Sequence, residues 1–150
     1  MATFVTDASA TLPWCPKDEE TAWTIGLLRR LNTGDRIIVP AHWPTEVSNG
    51  LLMATRRQRI PAGRAALFWD ELAILPIAVE APLSPAQSKG VLALCDRHGL
   101  TVYDAAYLEL AKRSASPLAT LDGALRRAAS IERKRIKRRL HVLVEELYGP

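Results

Sequence analysis

Strand-length apolar runs alternate with stretches of helical period along this chain, and that alternation limits the fold more than any other feature. Thr3–Thr6, Arg36–Val39 and residues 75–79, 117–121 and 140–144 are short and rich in β-branched residues. They are too uniformly apolar to keep one wet face, which is the pattern of a parallel sheet covered on both sides. Between them the apolar residues recur at helical spacing. Residues 18–31 carry Trp23, Leu27, Leu28 and Leu31 on one side, 45–57 carry Val47, Leu51, Leu52 and Ala54, and 62–73 carry Ala66, Phe68, Trp69 and Leu72. Ser84-Pro85 opens a further helix as cap and first residue, running to Arg97, and His98-Gly99 closes it. Residues 104–112 and 123 to about 137 complete the set. Strands separated by helices imply βαβ units and an α/β fold with a mostly parallel sheet.

The 150 residues show no repeat, low-complexity tract or linker and are read as one domain. Hydrophobic residues make up 48% and charged residues 24%, which excludes a disordered chain, and no apolar run is long enough to span a bilayer. The N-terminus, Met-Ala-Thr-Phe-Val-Thr-Asp, has no basic stretch ahead of an apolar one and is not read as a secretory signal. Cys15 and Cys95 stand far apart with no partner at metal-ligand spacing and read as ordinary thiols. A cytoplasmic protein is expected. The net charge is +4, but residues 126–139 alone hold eight Lys or Arg against one Glu, a local balance of +7, so the rest of the chain is mildly acidic. Such a segment is either a solvated face or a phosphate-binding patch.

Ligand sites in open α/β sheets form beyond the carboxyl ends of the strands. Asp7 follows the first apolar run, in Phe-Val-Thr-Asp-Ala-Ser, and Asp122 follows another, in Leu-Ala-Thr-Leu-Asp-Gly. The two would face a common crevice if their strands are neighbours. Asp104 lies where a helix begins, and Glu46 lies in the first turn of another, with Asn49 on its face three residues on. Thr120 shares the side of the sheet with Asp122, and Ser9 and Thr6 put hydroxyls beside Asp7. Crowded carboxylates need a cation or raise each other's pKa. Ligation by oxygen alone suits Mg²⁺ or Mn²⁺, and no His/Cys cluster offers a zinc site. Each acid also has a plainer role: Asp104 and Asp122 as helix caps, Asp7 as a loop cap, Glu46 as a charge favoured by the helix dipole.

In this order the motifs resemble those of PIN-domain proteins, and among them the VapC-like toxins of toxin–antitoxin pairs. The resemblance spans about residues 3 to 130. It is carried by the strand ending in Asp7-Ala-Ser9, by Pro40 followed by Glu46-Val47-Ser48-Asn49, by Leu100-Thr-Val-Tyr-Asp104-Ala-Ala-Tyr107, and by Leu118-Ala-Thr-Leu-Asp122-Gly-Ala-Leu-Arg-Arg. It implies a three-layer α/β/α domain with a central sheet of about five strands. It implies, too, that Asp7, Glu46, Asp104 and Asp122 bind Mg²⁺ or Mn²⁺, with Ser9, Asn49 and Thr120 in support. The activity it implies is endonucleolytic cleavage of RNA. The partners are a small cognate antitoxin, a second copy of the chain, and operator DNA only through the antitoxin, with no membrane. The chain departs from the family near its end, where residues 126–150 form a longer and more basic extension.

The aromatic and histidine residues are read more plainly. Trp23 and Trp69 lie on apolar helical faces as core or dimer-interface residues, and Trp43 packs near Glu46. His42, His98 and His141 are scattered, without partners at ligand spacing. No Ser-His-Asp or Cys-His nucleophile is visible, which fits hydrolysis by a metal-activated water. A receiver-like signalling domain, also α/β with acids at strand ends, lacks here the acidic pair after the first strand and the late Lys it needs. The alternative within the same fold is a catalytically silent protein that acts through its antitoxin and operator DNA.

Overall fold

Four of the apolar runs pair into one parallel sheet in the computed structural model, which describes residues 1–136. In chain order the strands are β1 (Thr3–Thr6), β2 (Arg36–Val39), β3 (Ile77–Val79) and β4 (Leu118–Ala119), and their order across the sheet is β3-β2-β1-β4. Phe4 lies opposite Ile37, Ile37 opposite Ile77, and Val5 opposite Leu118. The expected fifth run, 140–144, lies outside the described residues. β3 begins two residues later than its apolar run suggests, at Ile77 instead of residue 75. Pro76 has no N–H for the ladder and contributes only its carbonyl, which accepts from the Ile37 amide at 2.9 Å.

Helices connect the strands: α1 (Ala8–Thr11), α2 (Ala22–Asn32), α3 (Trp43–Arg56), α4 (Arg64–Ala73), α5 (Pro85–His98), α6 (Val102–Ser114) and α7 (Gly123–Ile136). α2 starts at Ala22, four residues after the periodic pattern does. Thr21 and Thr24 form a reciprocal capping box there, and Lys17–Glu19 turn separately as a 3₁₀ helix. Ser84 caps α5 through Gln87, and Gly99 ends it at φ +64°, a backbone region that costs glycine nothing. α2 packs on β2, and α6 packs on β1 and β4. Phe4, Val5, Ile37, Leu108, Leu110, Leu118 and Leu125 are almost wholly removed from water, so both faces of the central strands are covered.

Three of the tryptophans, Trp14, Trp23 and Trp43, are core residues. Trp23 is 1% exposed, which leaves no surface for a partner. Trp43 is equally buried and meets half-buried Trp69 edge-on at 5.8 Å.

A buried ionic knot joins the last three helices. Glu132 of α7 is 1% exposed and accepts from Arg97 Nη1 at 2.6 Å, pairs with His98 Nε2 at 2.7 Å and accepts from Lys112 Nζ at 2.7 Å. Burial pushes its carboxyl upward, but Lys112, His98 and Arg97 together outweigh that and hold it at about 2. Arg127, Arg133, Lys134 and Arg135 of the same helix are exposed, as so many cations in one helix must be.

Candidate active site

Asp7 stands at the carboxyl end of β1 and is 4% exposed. Its Oδ1 accepts from Ser9 Oγ at 2.7 Å and from the Ala10 amide at 3.2 Å, so it caps α1. Its Oδ2 accepts from Thr120 Oγ1 at 2.5 Å, across from β1 to the end of β4. Three of roughly four lone-pair positions of the carboxylate are thereby used, which leaves one for a further partner. Burial lifts this carboxyl to about 6; the bonds from Thr120, Ser9 and Ala10 pull it down, and Glu46 pushes it up.

β1 and β4 are neighbours, so the condition for Asp7 and Asp122 to share an edge is met. Asp122 lies three residues beyond β4. Its Oδ1 accepts from the Leu125 amide at 2.7 Å, and its own amide donates to Thr120 Oγ1 at 3.0 Å. Thr120, wholly buried, therefore serves both aspartates, and Ser9 Oγ adds a bond from the Leu121 amide at 2.9 Å. Both aspartates take the plain capping role, Asp7 on α1 and Asp122 on the first turn of α7.

Asp104 is not the cap of α6. Thr101 holds that position, and the Asp104 amide donates to its hydroxyl at 3.2 Å, which sets the carboxylate one turn into the helix. Burial raises the Asp104 carboxyl; Thr101 lowers it, Asp122 and Glu46 raise it, and His42 lowers it. Glu46, in the first turn of α3, accepts from Tyr107 Oη at 2.9 Å through Oε2. Burial and then Glu46 push the Tyr107 hydroxyl far above its ordinary value, so it stays a donor. His42 Nε2 lies 3.4 Å from the same Oε2, and among the described residues it has no hydrogen-bond partner.

Glu46, Asp104 and Asn49 line one cavity of about 450 Å³ with His42, Thr45, Thr101 and Tyr103. The four acids act on one another electrostatically: Asp7 responds to Glu46, and Asp104 to both Asp122 and Glu46. They do not close into a cage, and among the described residues no three acidic, His or Cys side chains converge at metal-holding distance. The donor set is nonetheless all oxygen, the chemistry that a hard divalent cation prefers.

In the sequence alone His42 is set aside and Tyr107, Thr101 and Tyr103 carry no role of their own, yet all four border the acids here. His42 stands four residues before Glu46 on one helical turn, a spacing that was available to be read. Tyr107 stands three residues after Asp104 on α6, the same face one turn on.

A PIN domain family model matches residues 4–131. The chain belongs to the PIN domain family. No curated protein matches its sequence. Among solved structures, PAE2754 from Pyrobaculum aerophilum is similar with a TM-score of 0.63 at 20% identity, over 85% of this chain and 84% of that one. VapC20 from Mycobacterium tuberculosis, a Sarcin-Ricin loop cleaving toxin, gives a TM-score of 0.59 at 15% identity over 83% and 94%. VapBC2 from Rickettsia felis, bound to a DNA fragment from its promoter, gives 0.57 at 12% identity over 93% and 96%. At these identities the likeness is one of fold, and it agrees with the parallel sheet and flanking helices of this PIN domain.

Proposed function

We propose that this PIN domain is a divalent-metal-dependent endoribonuclease, the toxin of a toxin–antitoxin pair. The observation that supports it most is the placing of four mutually repelling carboxylates, Asp7, Glu46, Asp104 and Asp122, around the carboxyl end of one parallel sheet. Asp7, Asp104 and Asp122 would hold Mg²⁺ or Mn²⁺, and Glu46 would join them or orient the attacking water. Bound metal of this kind lowers the pKa of its water and neutralises phosphoryl charge. Ser9 and Thr120 fix Asp7, Tyr107 fixes Glu46, and Asn49 offers an amide to the same cavity. The acidic crevice repels phosphates, so RNA is drawn by cations elsewhere, such as Arg127, Arg133, Lys134 and Arg135 on α7.

The partners belong to the same proposal: a small antitoxin, operator DNA reached only through it, and a second copy of the chain. Leu67, Ile74, Val79 and Leu92 are exposed apolar residues available to such contacts, whereas Trp23 is not. Free Cys15 and Cys95 suit a reducing cytoplasm. Among the described residues no helix is long and apolar enough to cross a membrane.

The carboxylates stand apart instead of converging, and that favours the silent binding protein as the second reading. Cleavage of structured and unstructured RNA in Mg²⁺, Mn²⁺, Ca²⁺ and EDTA separates the two. Activity with Mg²⁺ or Mn²⁺, little with Ca²⁺ and none in EDTA is expected. Full activity in excess EDTA removes the metal mechanism, and no cleavage under any condition leaves the silent alternative.

A further inference from the structure

Tyr103 is an anomaly of the surface. It is a large aromatic residue, 65% exposed, next in the chain to a carboxylate whose environment is half-buried. An exposed aromatic ring at a cavity that also holds two carboxylates needs a reason, because among the described residues the other aromatic rings are buried or half-buried. The ring is also held in place. It leans on His42 at 5.6 Å between centroids and 58° between planes, and His42 in turn meets the edge of buried Tyr107 at 4.9 Å. A stack rooted in the core thus fixes the exposed ring at the mouth of the 450 Å³ cavity, a volume within the roughly 300–1,000 Å³ of small-ligand sites.

The rest of that cavity has mixed chemistry. Thr45, Thr101 and Asn49 offer hydroxyls and an amide, and Glu46 and Asp104 line the same space. A flat π surface beside hydrogen-bonding groups is how proteins take up the unstacked bases of single-stranded RNA, stacking the face and reading the edge. Tyr103 and Asp104 line the same cavity, so a base stacked on the Tyr103 ring keeps its sugar-phosphate in the space that the Asp104 carboxylate also borders.

We propose that Tyr103, braced by His42, is the stacking platform for the base of the single-stranded RNA nucleotide that flanks the scissile phosphate, with Asn49 at that base's edge. This rests on the ribonuclease reading above. It makes Tyr103 a substrate-binding residue that sets which nucleotide lies beside the cut, with no part in the hydrolysis itself.

The test uses the full chain and a short unstructured RNA carrying 2-aminopurine, in Ca²⁺ so that the strand stays intact. Fluorescence is expected to be quenched on binding to the wild type, Tyr103→Phe and Tyr103→Trp. Tyr103→Ala should lose the quenching and bind about tenfold more weakly, within the range for losing one stacked base. In Mn²⁺ the same variant should raise KM by a similar factor with kcat little changed, and Phe should restore it. Tyr103→Ala that binds and quenches like the wild type overturns the platform, as does Tyr103→Phe failing as badly as Ala. If RNA is cut while Tyr103 proves indifferent, the ribonuclease reading stands and the platform falls. If RNA is bound with Tyr103-dependent quenching but never cut, Tyr103 stacks a base, and the nuclease falls together with the placing of that base beside a scissile phosphate. If RNA is neither bound nor cut, both fall.

Discussion

The hydroxyl of Tyr107 donates to Glu46 at 2.9 Å and so links two helices across 61 residues of sequence. Among the described residues the contacts from Tyr107 and His42 both fall on Oε2, and Oε1 takes part in neither. A carboxylate this exposed would otherwise sample several rotamers, and ordering it in advance is what such a buried donor achieves.

Tyr107→Phe removes that one hydroxyl and keeps the ring in the core. The expected result is a loss of roughly 10- to 100-fold in Mn²⁺ affinity or kcat, the usual effect of removing a partner that orients a ligand. Melting temperature should change little. Titration calorimetry with Mn²⁺ beside single-turnover cleavage checks it; unchanged affinity and rate would mean that Glu46 needs no such support.

Asp7 makes stability depend on pH. Its folded carboxyl lies near 6, above its ordinary value of 3.8, so the folded chain binds the proton more tightly than the unfolded one. The resulting penalty is complete above about pH 6 and fades as pH falls toward 3.8. Asp7→Asn keeps an acceptor for the Ala10 amide and abolishes the charge. In EDTA at about pH 7 it should be more stable than the wild type by roughly 1–3 kcal/mol, and the difference should vanish near pH 4. Thermal melts across that interval decide it. A variant less stable at neutral pH would show that the bonds from Thr120 and Ser9 outweigh the burial of the charge.

Glu132 has the opposite sign. Its folded carboxyl lies near 2, below the ordinary 4.5, so its contribution is complete above about 4.5 and is lost as pH falls toward 2. Glu132→Ala should cost roughly 3 kcal/mol at neutral pH, the low end for breaking a buried pair, because Arg97 and Lys112 keep contact with water. Urea denaturation of both proteins at neutral pH and near pH 3 should show the gap narrowing in acid. A constant gap would place the effect in packing.

Local signals made much of this legible beforehand. β1 and β2 fall where their β-branched runs lie, and α5 runs from the Ser84 cap to Gly99 because both ends carry their own punctuation. The four acids were visible because they directly follow strands or open helices. What stayed hidden depends on residues distant in sequence. The cations around Glu132 are scattered over Arg97, His98 and Lys112, and only the packing of α5 and α6 against α7 collects them. The sequence offers Asp104 as the plain cap of α6, and Thr101, three residues earlier, takes that place. Tyr103 was overlooked beside four tryptophans, and burial reverses that ranking: Trp14, Trp23 and Trp43 are all at most 6% exposed.

Asp7 caps a helix and joins β1 to β4 through Thr120, and both services are needed by the fold whether or not any phosphodiester is cut. Selection for a folded chain alone would preserve an acceptor at that position, which aspartate or asparagine can supply. Glu46 does neither: it packs no core and caps no helix. In a related chain that had given up catalysis, position 7 would therefore keep aspartate or change only to asparagine, while Glu46 would drift freely. The residue to inspect when asking whether such a relative is still a working enzyme is the glutamate on α3.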